Sequence, residues 1–155
     1  MDIKDATNSI IPFLWFDNNL ESAIKFYESI FKNFKLNSIQ ATAEGEQRKV
    51  FGASFEMNSQ RFNAINGGPT YTFTPAVSFF ISCKSQEEID YYWNKLLEKG
   101  KPNKCGWLTD QFGLSWQVVP TNLGEFIRFP EGMQAMLQME KLEIETLRIA
   151  IEKYK

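Results

Sequence analysis

The side chains able to do chemistry in these 155 residues are few: two cysteines, 19 carboxylates, a scatter of amides and hydroxyls, and no histidine. Without imidazole there is no Ser-His-Asp or Cys-His nucleophile, no histidine-plus-carboxylate iron triad and no His-bearing zinc site. Cys83 and Cys105 are too few for a disulfide framework and lack the paired spacing of a zinc or redox motif, so both read as reduced thiols. Only Lys104 adjoins Cys105, too little to activate a thiolate. The acidic pairs Glu44/Glu46 and Glu87/Glu88 read as a solvated loop and as the first turn of a helix, where negative charge suits the dipole. Asp110 opens a turn, where an aspartate bonds backbone amides. No residue is assigned a catalytic role.

Binding chemistry remains. Alternation in the run 114–119 puts Ser115, Gln117 and Val119 on one side of a strand and Leu114, Trp116 and Val118 on the other. The mixed side is a candidate binding face, as are the faces carrying Arg61, Asn63 and Ile65 on an earlier strand, Phe13 and Trp15 on the first, and Ser78 and Phe80 on its copy. The candidate ligand-binding set is therefore Phe13, Trp15, Arg61, Asn63, Ser78, Phe80, Ser115 and Gln117. Rings for apolar contact, with a few amides and one guanidinium to fix orientation, are how small-molecule sites are made. The expected ligand is a small apolar or aromatic compound with an acidic or carbonyl end. The plainer role for Phe13, Trp15 and Phe80 is core packing, since 15% of the chain is aromatic, and for Arg61 it is pairing with Glu56.

These residues need strands to hold them. The apolar run 10–16 suits a strand covered on both faces, with Pro12 marking an edge or end position. After the turn Asp17-Asn18-Asn19, the residues Leu20, Ala23, Ile24, Tyr27, Ile30 and Phe31 recur at helical spacing and predict a helix of about 12 residues. Strands follow over 36–42, 50–57 and 61–66, the last closed by Asn66-Gly67-Gly68-Pro69, so the first half reads βαβββ. The second half repeats it: a strand over 76–83, a helix over 85–99 with a Ser85/Glu88 capping box and a stop at Gly100, then strands over 105–109 and 114–119. One strand of this copy is short or missing near Lys101-Pro102-Asn103. A shift of 65 lays Leu14 on Phe79, Phe16 on Ile81, Phe26 on Tyr91 and Tyr27 on Tyr92, so the halves read as copies: module one about 9–69, module two about 73–121. A helical extension over 122–155 carries methionines at 133, 136 and 139, read as packing side chains, much of it against a second subunit.

The net charge of −2 and a pI near 5.3 lack the basic footprint of nucleic-acid binding. The residues Met1 to Thr7 mix charges where a secretory signal would place an apolar run, and nowhere do about 18 apolar residues run together, which predicts a cytoplasmic protein without a membrane partner.

The runs Ile11-Pro12-Phe13-Leu14-Trp15-Phe16, Phe26-Tyr27, Asn66-Gly67-Gly68-Pro69, 73–80 and 105–120 resemble the 3-demethylubiquinone 3-methyltransferase-like (PhnB-like) branch of the glyoxalase/bleomycin-resistance, or vicinal oxygen chelate, superfamily. The resemblance implies an α+β fold of paired βαβββ modules whose curved mixed sheets enclose a cavity, usually at a dimer interface. It also implies a divalent metal held by His and Glu from the first and last strands of each module. Those positions fall here on Ile11, Ala76, Asn63 and Gln117, none of them an ionisable ligand, so no metal and no cofactor is expected. Rescue ligands would have to come from Glu56, Glu46 or Cys105. Nothing after a first strand resembles the glycine-rich loop of a Rossmann-type methyl-donor site, so methyl transfer is not expected. The reading is a metal-free homodimeric binder of a small apolar or aromatic ligand, the alternatives being a metal-dependent lyase, isomerase or dioxygenase, or a pocketless interaction module.

Overall fold

A computed structural model describes residues 10–42 and 45–154, leaving aside the side chain of residue 46. The N-terminal heptapeptide, Glu44 and the Glu46 side chain thus lie outside the described residues. The chain forms two compact units that divide between Thr72 and Phe73.

In the first unit, β1 (Phe13–Phe16) leads into α1 (Leu20–Ile30), then β2 (Phe34–Ala41), β3 (Val50–Met57) and β4 (Gln60–Asn66). The sheet order is β1-β4-β3-β2, with β1 parallel to β4 and the other pairs antiparallel. Pro12 lies just before this edge strand, where its missing N–H disturbs no ladder, and its carbonyl accepts from Asn63 N at 3.0 Å. The predicted stripe forms: Leu20, Ala23, Ile24, Tyr27 and Ile30 of α1 are buried, and the helix packs on β2, β3 and β4. Beneath it, the Phe55 ring stacks between Phe34 and Phe62 at 5.6 and 5.8 Å. Asn19 gives α1 no side-chain cap; Asn66 at the end of β4 does this instead, its Oδ1 accepting from Leu20 N and its Nδ2 donating to Val50 O, both at 3.0 Å. β1 is not covered on both faces as the apolar run suggested, because Phe13 is 53% exposed while Leu14 and Phe16 are buried.

The second unit contains β5 (Ser78–Cys83), α2 (Gln86–Leu96), β6 (Lys101–Pro102), β7 (Trp107–Thr109) and β8 (Ser115–Pro120), in the same arrangement, β5-β8-β7-β6. The short strand of this copy is β6, two residues long. The Ser85 cap forms, Oγ accepting from Glu88 N at 3.2 Å, while Glu88 accepts from Lys84 N at 2.7 Å. The helix ends before the predicted Gly100, since Lys99 adopts a φ of 57°. Burial also corrects the overlay of the helices: the buried Ile89, Trp93 and Leu96 match Ala23, Tyr27 and Ile30 at a shift of 66, so Tyr27 corresponds to Trp93 rather than to Tyr92. One extra residue stands between strand and helix in the second copy.

Cys105 and Gly106 do not begin a strand, because both adopt positive φ. A Cβ on Gly106 would stand 2.7 Å from Val118 O, and the two N–H groups donate to Met139 O and Glu140 O at 2.8 Å. The tail therefore does in part what a longer edge strand would do. It continues as α3 (Leu123–Ile127), α4 (Pro130–Gln138) and α5 (Ile144–Ala150), around a core of Phe126, Leu147 and Ile151 against which Met136 and Met139 pack. Gln86 ties α2 to this extension, donating to Leu142 O and accepting from Ile144 N. Among the described residues no helix is long and apolar enough to cross a membrane.

Candidate functional site

Register fixes which side chains share a face. In the first sheet, Phe13 lies opposite Asn63, Asn63 opposite Ser54, and Ser54 opposite Ser38. The next row on that face is Trp15, Ile65, Gly52 and Gln40, and Arg61 faces Glu56 in the row before. This is the face opposite α1, whose own side holds the buried Leu14, Phe16, Phe62, Ala64 and Phe55. Phe13, Trp15, Arg61 and Asn63 thus fall together on one face of the first sheet.

The Trp15 ring is fixed there. Its Nε1 donates to Gly68 O at 2.9 Å, and Tyr71 meets it edge-on at 5.0 Å between centroids. Gly67 lies directly against the indole: a Cβ there would come within 2.3 Å of the ring, so no larger residue fits. The turn after β4 therefore folds back on β1 and leaves the aromatic pair Trp15 and Tyr71 beside the exposed Phe13. Further along, Arg61 donates from Nε to Ser54 Oγ at 3.2 Å, and Gln40 from Nε2 to Ser38 Oγ at 3.0 Å. Asn63 Oδ1 and Gln40 Oε1 are buried without a hydrogen-bond partner. Gln40 was not among the residues singled out from sequence. The bulge between Leu36 and Ser38, which decides the face Gln40 occupies, has no signature in the local residue pattern.

In the second sheet, Ser78 lies opposite Ser115 and Phe80 opposite Gln117. Gln117 donates from Nε2 to Ser78 Oγ at 2.9 Å, Phe80 is 58% exposed, and Ser115 Oγ is buried without a partner. The overlay of β1 on β5 makes Ser78 the counterpart of Phe13, so the parallel registers make Ser115 the counterpart of Asn63, and Gln117 that of Ile65. Asn63 and Gln117, the last-strand positions that the resemblance matched to metal ligands, differ in this overlay by one two-residue step. Asp110 is structural: Oδ1 accepts from Phe112 N and Leu114 N, and Oδ2 from Trp116 Nε1 at 2.9 Å.

The positions that would carry metal ligands do not suit a divalent ion. Ile11 and Ala76 precede their strands and carry only alkyl groups, while Asn63 and Gln117 are neutral amides. Of the rescue ligands, Cys105 lies in the turn tied to the tail, and Glu56 stands across from Arg61. Among the described residues no three of His, Cys, Asp and Glu come together. Burial, then the charge of Glu88, pushes the Cys83 thiol up to about 12, so this cysteine stays protonated and unreactive.

A family model described as 3-demethylubiquinone-9 3-methyltransferase matches residues 8–119. Among solved structures, the PhnB protein of Bacillus cereus is 34% identical with a TM-score of 0.66, over 73% of this chain and 99% of its own. Protein PA1353 of Pseudomonas aeruginosa shares the fold at 20% identity and a TM-score of 0.61, over 74% of this chain and 98% of its own. No curated protein matches the chain. With two α+β modules of mixed sheet and a match over most of its length, the chain belongs to the 3-demethylubiquinone-9 3-methyltransferase (PhnB-like) family.

Proposed function

We propose that this protein is a metal-free, cytoplasmic, homodimeric binder of a small apolar or aromatic compound, and that it receives this compound on the sheet faces carrying Phe13, Trp15, Arg61 and Asn63 in module one (about 9–69) and Ser78, Phe80, Ser115 and Gln117 in module two (about 73–121). The observation that carries the reading is the immobilised Trp15, clamped by Gly67, Gly68 and Tyr71 beside the exposed Phe13. A ring already fixed in place loses little freedom when a flat ligand stacks on it, and that favours affinity. Methyl transfer has no support: β1 runs into α1 through Asp17-Asn18-Asn19, with no glycine to bring the backbone against a cofactor.

A thermal-shift panel of planar aromatic compounds tests the reading. A ligand at 100 times its dissociation constant adds about 2.7 kcal/mol of stability. We expect naphthalene-sized compounds to raise Tm, and Trp15→Ala to remove the rise. A panel without any shift would instead favour an interaction module. Close to one Zn, Mn, Fe or Ni ion per subunit in protein purified without added metal, abolished by Gln117→Ala, would favour a metal enzyme. A monomer by light scattering at micromolar concentration would remove the dimer.

A further inference from the structure

We infer that the bond between Asn66 and Gly67 is a deamidation site of this protein, and that the turn clamping Trp15 sets its rate. Nothing in this depends on a ligand. Asn66-Gly67 is the one Asn-Gly step in the sequence, and both residues are partly exposed, so water reaches them. A glycine after asparagine has no Cβ to keep its backbone nitrogen from the asparagine side chain. When the Gly67 N–H gives up its proton, the nitrogen attacks Asn66 Cγ, a five-membered imide forms, and the Asn66 amide nitrogen takes up a proton and leaves as ammonia. Water then opens the imide at either carbonyl and leaves aspartate or isoaspartate at position 66.

The fold holds both reacting groups apart. The Asn66 amide is tied at each end, Oδ1 accepting from Leu20 N and Nδ2 donating to Val50 O, both at 3.0 Å, and these two bonds fix which end is oxygen. The Gly67 N–H donates to Phe16 O at 2.8 Å, which keeps its proton in place and turns the nitrogen away from Cγ. The Trp15 indole lies against Gly67, where a Cβ would meet it at 2.3 Å, and its Nε1 bond to Gly68 O closes the turn behind it. The reaction therefore waits for the turn to open locally, and its rate follows the open fraction. Its consequence reaches α1. With Nδ2 replaced by oxygen, Val50 O faces another acceptor, and isoaspartate adds a methylene to the chain where β4 ends, so the start of α1 loses the tie that caps it.

The test follows the one-dalton mass gain at residue 66 by peptide mass spectrometry, in full-length protein kept in mildly alkaline buffer, folded or unfolded by guanidinium. Asn58, exposed beside Ser59 in the turn between β3 and β4, is the internal reference. Conversion at residue 66 should be at least about tenfold slower in the folded protein than in the unfolded one. Trp15→Ala should raise the folded rate about fivefold or more while the rate at Asn58 stays within about twofold. Equal rates in folded and unfolded protein, or no conversion even when unfolded, would overturn the site. An unchanged folded rate in Trp15→Ala would overturn the control by the clamp, and so would an equal rise at both asparagines, which marks loosening of the whole unit. Should Trp15→Ala fail to fold, Trp15→Phe, which keeps a ring but lacks the Nε1 donor, takes its place with the same outcomes.

Discussion

The two modules share a strand order and a helix but equip the face opposite that helix differently. In the first, the edge strand contributes Phe13 and a Trp15 held by its own turn, and the polar residues behind them include two amide oxygens without partners. In the second, the corresponding edge carries Ser78 and an exposed Phe80, Ser78 is bonded to Gln117, and among the buried side-chain atoms of the described residues only Ser115 Oγ is left unmatched. One copy has kept its polar capacity open beside fixed aromatic rings, while the other has largely closed it with internal bonds. The repeated strand order supplies two comparable faces, and changes on the edge strand are enough to give them different side-chain chemistry.

The largest expected effect comes from the clamp itself. Gly67→Ala places a methyl within 2.3 Å of the Trp15 ring, so the indole must leave its position and its bond to Gly68. Overpacking of this kind costs about 1–3 kcal/mol, and urea denaturation should register it together with the loss of aromatic binding. The matched change in the other module, Phe80→Ala, removes a ring that is 58% exposed and should stay within about 0.5 kcal/mol. Comparable losses at both positions would erase the distinction between the modules.

Opposite signs are expected one step inward. Asn63→Leu removes an unmatched buried acceptor and should stabilise the protein by about 1 kcal/mol, whereas Gln117→Leu breaks the bond to Ser78 and should destabilise it by about the same amount. Denaturant midpoints at equal slope would measure both. Losses for both variants would mean that Asn63 has a structural partner and is no receptor group.

Most of the architecture could be read from sequence because it is carried by local patterns. The stripe from Leu20 to Ile30 fixes α1, Ser85 with Glu88 fixes the start of α2, and the alternation around Gln117 fixes its face. What escaped depends on contacts distant in sequence. Asn66 caps α1 from 46 residues away, and the turn at Cys105 and Gly106 exists because carbonyls of Met139 and Glu140 wait for its N–H groups. Of the candidate residues, type and alternation put Asn63 and Trp15 on one face, but only the register revealed that Ser115, not Gln117, is the counterpart of Asn63.

The smallest effect concerns acid, and it again separates the units. The second carries the helical extension, joined to α2 by Lys141 and Asp90 at 2.8 Å, and pinned at its end by Lys153 and Tyr154 on Glu131. The hydrogen bond from Lys141, then that from Gln86, holds the Asp90 carboxyl below its ordinary range; Lys153 and then Tyr154 bring Glu131 down to about 2. Both folded values lie below the unfolded ones, so the stabilisation is complete above the ordinary carboxylate range near pH 4 and is lost as pH falls through the depressed values. Solvent screening keeps the Asp90 contribution to a few tenths of a kcal/mol. Hydrogen exchange corrected for intrinsic rates should therefore show the amides of α5 (Ile144–Ala150) losing protection between about pH 4 and pH 2 while those of α1 (Leu20–Ile30), whose buried stripe holds no carboxylate, keep theirs. Simultaneous loosening of both helices would mean that the extension is held by its apolar core of Phe126, Leu147 and Ile151 alone, with the ion pairs contributing nothing.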